Sequence, residues 1–123
     1  MDANLLLRDG STNLTADETL TATKIGPMVR PMYLHVLAPY VRSGDTLDVE
    51  AEFCDTGATT TQISNMNMKQ IVAAGHYCEP FFTLHDYIQI KLGVTAGTTA
   101  ALSMGAVKVW IDSSARCDEP RDS

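Results

Sequence analysis

The segment from Thr46 to Phe53, TLDVEAEF, most constrains the fold of this chain, because apolar and charged residues alternate along it. Apolar residues stand at positions 47, 49, 51 and 53, and acidic residues stand between them. A period of two is that of an extended strand with one face in a core and one in solvent. The alternation returns at 88–94 and 107–111, and no segment sustains the period of a helix. The sequence therefore predicts an all-β protein, an antiparallel β-sandwich or small barrel.

The chain divides into three parts by residue pattern. At 123 residues it has the size of one domain, since two cores of half this length would each be marginal. Along the whole chain there are about eight strand-like segments at short spacing, which favours two packed antiparallel sheets. Before residue 31, a short apolar run and a threonine-rich segment precede Pro27 and Pro31, which interrupt regular pairing. We predict an extended N-terminal arm and edge strand over 1–30, dispensable for folding, a β-sandwich domain over 31–113 and a flexible polar tail over 114–123.

The net charge of the chain limits the classes of partner that we expect it to bind. The formal net charge is -6, with 15 acidic residues against 9 basic ones. Nucleic-acid binding depends on cationic side chains that neutralise phosphates, and anionic membranes repel a negative surface. The apolar runs are too short to span a bilayer, and the first residues lack the basic region of a secretory signal. We therefore expect a protein partner, with no nucleic acid and no membrane.

Donor residues for metals are present but lack the spacing of known sites. His76, Cys78, His85 and Cys54 are zinc-type donors, yet no pair of closely spaced cysteines accompanies them. The acids at 45, 48, 50 and 52 lack the spacing of a calcium loop, and alternation explains the last three as the outer face of a strand. With no export signal, the cysteines at 54, 78 and 117 are expected to be reduced. We predict no metal and no other cofactor.

Catalytic motifs are likewise absent from the sequence. There is no GxSxG motif and no glycine-rich phosphate loop. A small metal-dependent β-sandwich enzyme would need clustered histidines, whereas His35, His76 and His85 stand on separate segments. An alternative function is a small carbohydrate-binding β-sandwich module with Trp110 and Tyr87 as an aromatic platform. The bulky segment 81–84, FFTL, is expected to close one end of the sandwich.

The order of strand and turn motifs resembles a known family. The segment NLLLRDG is followed by a threonine-rich strand and then by SGDTLDVEAEF. The chain continues with IVAAGHY, YIQIKLGVT and GAVKVWI. This order, from Asn4 to about Ile111, resembles the small jelly-roll cement, or decoration, proteins that coat the heads of tailed bacteriophages, including that of a Bordetella podophage.

The resemblance implies a β-sandwich of jelly-roll type and a structural role without enzymatic activity. The protein would be made in the cytoplasm of the bacterial host and would bind the outer surface of the capsid in the virion, where it cements neighbouring capsomers. Its partners would be the major capsid protein and further copies of itself, as a dimer or trimer. The predicted capsid or subunit contacts are apolar residues beside prolines or turns that match no regular buried face: Leu5, Leu6, Leu7, Met28, Val29 and Met32.

Overall fold

Strands form every regular element in the part of the chain that the computed structural model describes, namely residues 5–26, 31–55, 64–97 and 102–113. The prediction of an all-β protein is therefore confirmed. The tail expected over 114–123 lies outside the described residues. The nine strands of the described ranges are β1 Leu5–Asp9, β2 Glu18–Thr19, β3 Thr23–Lys24, β4 Met32–Ala38, β5 Thr46–Cys54, β6 Ser64–Asn67, β7 Gly75–Phe81, β8 Tyr87–Thr95 and β9 Lys108–Asp112.

The strands form two antiparallel sheets. The four-stranded sheet has the order β1-β9-β4-β7, and the five-stranded sheet has the order β2-β8-β5-β6 with β3 also paired to β8. Between β2 and β3, the Leu20 amide donates to Ile90 O, and beyond β3 the Ile25 amide donates to Asp86 O. β2 and β3 are therefore two pieces of one interrupted edge, as expected for the threonine-rich segment.

The core lies between the two sheets and contains the residues that alternation predicted. Leu47, Val49, Ala51 and Phe53 of β5 are all buried. The same core cluster takes in alternate residues of β4 and β9 from the other sheet, so each sheet contributes its inner face. The strand faces predicted for 46–53, 88–94 and 107–111 are confirmed. At one end of the core, the rings of Phe53 and Phe81 stack at 5.6 Å, so Phe81 closes that end as expected.

Residues 5–26 lie within the two sheets, in place of the arm expected from the sequence. β1 pairs with β9, and β2 and β3 pair with β8. Leu5 and Leu7 pack against the core cluster, which gives β1 the apolar contact that an independent arm lacks. The sandwich therefore begins before the expected boundary at residue 31.

A part-buried ion pair joins the two sheets at their β1 and β2 edges. The Arg8 guanidinium donates to both carboxylate oxygens of Glu18, each at 3.0 Å. It also donates to Val107 O at 2.7 Å and to Thr12 O at 3.1 Å. The fork of donors on arginine suits this arrangement, since two of its nitrogens reach the carboxylate and one reaches backbone carbonyls. Arg8 thereby links β1, the loop that follows it, β2 and the approach to β9.

A second polar junction joins two loops at the start of β5. Asp45 has no exposed surface, and it accepts hydrogen bonds from Arg42 Nε at 2.8 Å and from the Gly97 amide at 2.9 Å. Gly97 packs directly on Gly44, whose φ is +91°. A Cβ on Gly97 would stand 2.4 Å from Gly44 O, so a larger residue would force the two loops apart.

Candidate binding surfaces

The leucines predicted as contact residues lie on β1 with different exposures. Leu5 pairs with Ile111 and Leu6 with Trp110, and the register then shifts so that Arg8 pairs with Val109. This bulge adds Leu7 to the strand, and both Leu5 and Leu7 pack against the core cluster. Leu6 faces the other way and is 49% exposed. Among these three leucines, Leu6 therefore has the surface that a partner could contact.

The predicted methionine and valine contacts lie at or before β4. Met32 pairs with Phe81 at the end of the sandwich, where it is half-buried against the core cluster. Met28 and Val29 lie outside the described residues. Met32 is thus mainly a packing residue that also borders the surface of this end of the molecule.

Two exposed apolar side chains follow β7 at that same end. Phe82 is 53% exposed and Leu84 is 66% exposed, whereas Phe81 and Thr83 are buried. Burial alternates along residues 81–84, so the segment expected to close the sandwich places Phe81 and Thr83 inward and Phe82 and Leu84 outward. We call Phe82 and Leu84 the 82/84 patch. Applying a period of two to FFTL would have identified these two exposed residues, but the two adjacent phenylalanines obscure the alternation.

An acidic groove of about 290 Å³ runs along the outer face of the five-stranded sheet. Its carboxylates already have partners within the protein: Asp17 accepts from the Val94 amide, Asp48 from Gln70 and Glu50 from Asn65. Lys91, which also lines the groove, forms an ion pair with Glu52 at 3.0 Å. The hydrogen bond from Lys91 to Glu52 raises the pKa of the lysine. The groove is therefore a shallow, negatively charged surface whose polar side chains already have hydrogen-bond or ion-pair partners within the protein.

The acids of β5 differ in exposure, which corrects the expectation of one solvated face. Asp48 is exposed, Glu50 is half-buried, and Glu52 is only 5% exposed. Glu52 forms an ion pair with Lys91 at 3.0 Å, and the opposite charge offsets part of the cost of burying it. Alternation assigns these residues to the outer face, but burial on that face depends on neighbouring strands.

The two aromatic residues of the carbohydrate alternative lie on opposite sides of the molecule. Trp110 alternates with the core residues Val109 and Ile111, so it stands on the outer face of the four-stranded sheet. Tyr87 alternates with Ile88 and so stands on the outer face of the five-stranded sheet. Trp110 also has no exposed surface. The two rings therefore cannot form one platform, and the tryptophan cannot stack on a sugar in this conformation.

The zinc-type donors are spread over both sheets. His76 and Cys78 lie on β7, where His76 Nε2 is 3.0 Å from Nδ1 of His35 on β4. His85 Nδ1 is 2.7 Å from Asp55 Oδ1 at the far end of β5. Cys54 is a buried free thiol, and burial raises its pKa. Within the described ranges, no group of three or more His, Cys, Asp or Glu residues could hold a metal ion.

Comparison with known proteins found no match to this chain. No family model matches it, and neither does any curated protein or solved structure. In the described part of the chain, no helix is long and apolar enough to cross a membrane.

Proposed function

We propose that this protein is a virion structural protein that binds the outer face of a tailed-phage capsid and cements neighbouring capsomers. The observation that carries the proposal is the order of strand pairing. Counted as one interrupted strand, β2 and β3 leave eight strands in which the first pairs with the last, the second with the seventh, the third with the sixth and the fourth with the fifth. All these pairs are antiparallel.

This pairing supports a jelly-roll topology. In this pattern the two ends of the chain pair with each other and the strands further inward pair in turn, so the chain forms one long antiparallel hairpin. When that hairpin is rolled up, β9 lies beside β4 and β8 lies beside β5. Jelly rolls of eight strands are a common architecture of viral capsid proteins, although lectins and some enzymes share it. The strand order therefore agrees with the resemblance drawn from the sequence motifs.

The 82/84 patch is the surface that we assign to capsid contact. Both side chains are more than half exposed at one end of the sandwich, and contact with a protein partner would remove that apolar area from water. Leu6, Leu5 and Met32 lie on strands that reach the same half of the molecule. The net charge of -6 favours a protein surface over nucleic acid or an anionic membrane.

Weak binding by each copy is compatible with a cementing role. Copies that associate with one another as a dimer or trimer would contact several capsomers of one closed shell, and linked contacts raise the overall affinity without new contacts at each site. The major capsid protein and further copies of this chain are then its partners. No chemistry at an active site is needed for this role.

The test is a binding assay with undecorated, expanded heads of the cognate phage. Wild-type protein, the double variant Phe82→Ser/Leu84→Ser and the control Val72→Ser are each mixed with heads, and bound copies are counted after sedimentation. Val72 is a matched control, because it is 58% exposed beside Ile71, which pairs with Leu47 near the start of β5 at the opposite end of the sandwich. We expect the double variant to bind at least about tenfold more weakly, since two apolar side chains lose their buried contact.

The possible outcomes test the cementing function and the assignment of the 82/84 patch separately. Failure of the wild-type protein to bind heads would overturn the cementing function. Wild-type binding by the double variant, with loss of binding in Val72→Ser, would overturn the assignment of the patch and place the contact at the opposite end. All the substituted side chains are exposed, so we expect the three proteins to share one melting temperature.

A further inference from the structure

The outer face of the four-stranded sheet carries a buried aromatic cluster. His35 on β4 alternates with the core residues Leu34 and Val36, so it faces away from the core, as Trp110 does on β9. Both residues nevertheless have no exposed surface. His76 on the edge strand β7 is half-buried beside them. We call His35, His76 and Trp110 the outer-face cluster.

The three rings of the outer-face cluster pack tightly on one another. The imidazole of His35 stacks on the Trp110 indole, with centroids 5.0 Å apart and an interplanar angle of 8°. His76 lies tilted against the same indole at 4.9 Å. Nδ1 of His35 and Nε2 of His76 are 3.0 Å apart, which is the distance of a hydrogen bond between the two rings. His76 thus contacts both other members of the cluster.

That hydrogen bond restricts the protonation states of the pair. A neutral imidazole has one nitrogen that donates and one that accepts, whereas an imidazolium donates from both. The contact therefore needs a proton on one of the two facing nitrogens and a lone pair on the other. The bond survives with both rings neutral or with one charged. When both are charged, two N–H groups point at each other and two like charges lie within one buried cluster, which is strongly unfavourable.

Other titratable and charged residues share this face of the sheet. Lys108 and Asp112 stand on β9 two residues to either side of Trp110, and Asp9 of β1 pairs with Lys108. Tyr33 of β4 and Cys78 of β7 complete the set in the described strands. The cation and the carboxylates act on the histidine pair with opposite signs.

We propose that His35 and His76 form a pH-sensitive lock that holds Trp110 in its buried position and opens when both histidines are protonated. The lock is closed while at least one ring of the pair is neutral, and it opens only in acid, because the charge on the first ring opposes protonation of the second. On opening, His76 moves toward solvent, because β7 is an edge strand with no neighbour on its outer side in the described sheet. The proposal does not depend on the cementing function.

The cluster contains its own probe, because Trp110 is the single tryptophan of the chain. The emission maximum and the acrylamide quenching constant of Trp110 are measured between about pH 8 and about pH 4, and far-UV circular dichroism follows the strands. We expect a red shift and a rise of about twofold or more in the quenching constant, with an unchanged dichroism spectrum. Emission intensity alone does not suffice, since an imidazolium stacked on an indole quenches it without any opening.

Two variants distinguish opening of the lock from other effects of low pH on the protein. His76→Gln keeps a side chain that can hydrogen-bond to His35 but cannot titrate, and we expect it to abolish the transition. His85→Gln is the matched control, because His85 lies by Asp55 in another part of the fold, and we expect it to keep the transition. A wild-type quenching constant that stays flat, or an unchanged transition in His76→Gln, would overturn the proposal.

Histidine NMR titration of the wild-type protein provides a test that does not depend on variant folding. The three histidines are followed through their ring signals over the same range of pH. Two groups in direct contact titrate in coupled steps, so we expect the signals of His35 and His76 to change together in two separated steps. His85 serves as the internal reference with one step. Independent single steps for His35 and His76 at the same midpoint would contradict the lock.

Discussion

At the scale of single residues, Arg8 has the most consequential set of contacts in the described structure. Its side chain is buried, and in the described residues it donates hydrogen bonds to oxygens of Glu18, Thr12 and Val107. A buried cation is tolerated only when it is paired and hydrogen-bonded in this way. Because these oxygens belong to different segments, the one side chain fixes the edge where the two sheets meet.

Replacement of Arg8 by alanine should therefore destabilise the protein strongly. We expect a loss of about 3 kcal/mol in the free energy of unfolding, because Glu18 and the Val107 carbonyl lose their donor. Arg8→Lys keeps the charge but not the fork of donors, so its free energy of unfolding should lie between those of the wild type and Arg8→Ala. Lys24→Ala, at an exposed site on β3, is the control. Urea unfolding measures all four proteins, and equal midpoints for wild type and Arg8→Ala would show that the ion pair is dispensable.

At the scale of elements, β1 is the strand whose role differs most from the sequence expectation. It contributes Leu5 and Leu7 to the core, Arg8 to the sheet junction and backbone hydrogen bonds to β9. Without it, β9 would become an edge strand with the apolar residues of its inner face partly uncovered. Unpaired apolar edges promote aggregation.

Deletion of residues 1–9 should therefore prevent stable folding, in contrast to the dispensable arm expected from the sequence. We expect the truncated chain to be insoluble or to lose cooperative thermal unfolding, because core contacts, the Arg8 junction and the pairing of β9 disappear together. Deletion of residues 1–4 alone is the control, since it leaves β1 complete. The measurement is solubility followed by a thermal melt, and a truncated chain that melts cooperatively at the wild-type temperature would show that β1 is peripheral.

At the scale of the whole molecule, two carboxylates tie separate parts of the sandwich together. The hydrogen bond from Arg8 lowers the pKa of Glu18 below its ordinary value of 4.5. Hydrogen bonds from Arg42 and then from the Gly97 amide lower the pKa of Asp45 below 3.8. A carboxyl group with a lowered pKa in the folded state stabilises the fold above its ordinary pKa. That contribution is lost as the pH falls through the lower, folded value.

The free energy of unfolding should therefore be nearly constant with respect to these two groups from neutral pH down to about 4.5, and should decline below it. Urea unfolding at a series of pH values measures this slope. In Asp45→Asn we expect lower stability at neutral pH but a shallower decline in acid, because one of the two titrating groups is gone. A decline as steep as that of the wild type would exclude Asp45 as a source.

The sequence by itself determined the class of the fold and the inner faces of its main strands. Alternation is a local property, so Leu47 to Phe53 and the strands at 88–94 and 107–111 could be assigned to a core before any pairing was known. Pro27 and Pro31 are also visible in the sequence, where they suggest a domain boundary at residue 31. A proline interrupts pairing locally and does not decide whether the segment before it joins the sheet.

Only the tertiary structure decided the pairing partners and what covers the outer faces. β1 joins the sandwich because it pairs with β9, although the paired residues are 99 to 106 positions apart in the chain. Trp110 and Glu52 both fall on outer faces by alternation, yet both are buried, because neighbouring strands supply His35 and Lys91 at the right register. Exposure of the 82/84 patch and the contact between His35 and His76 depend in the same way on register. Periodicity assigns a side chain to a face, whereas its neighbours on that face are set by contacts between distant segments.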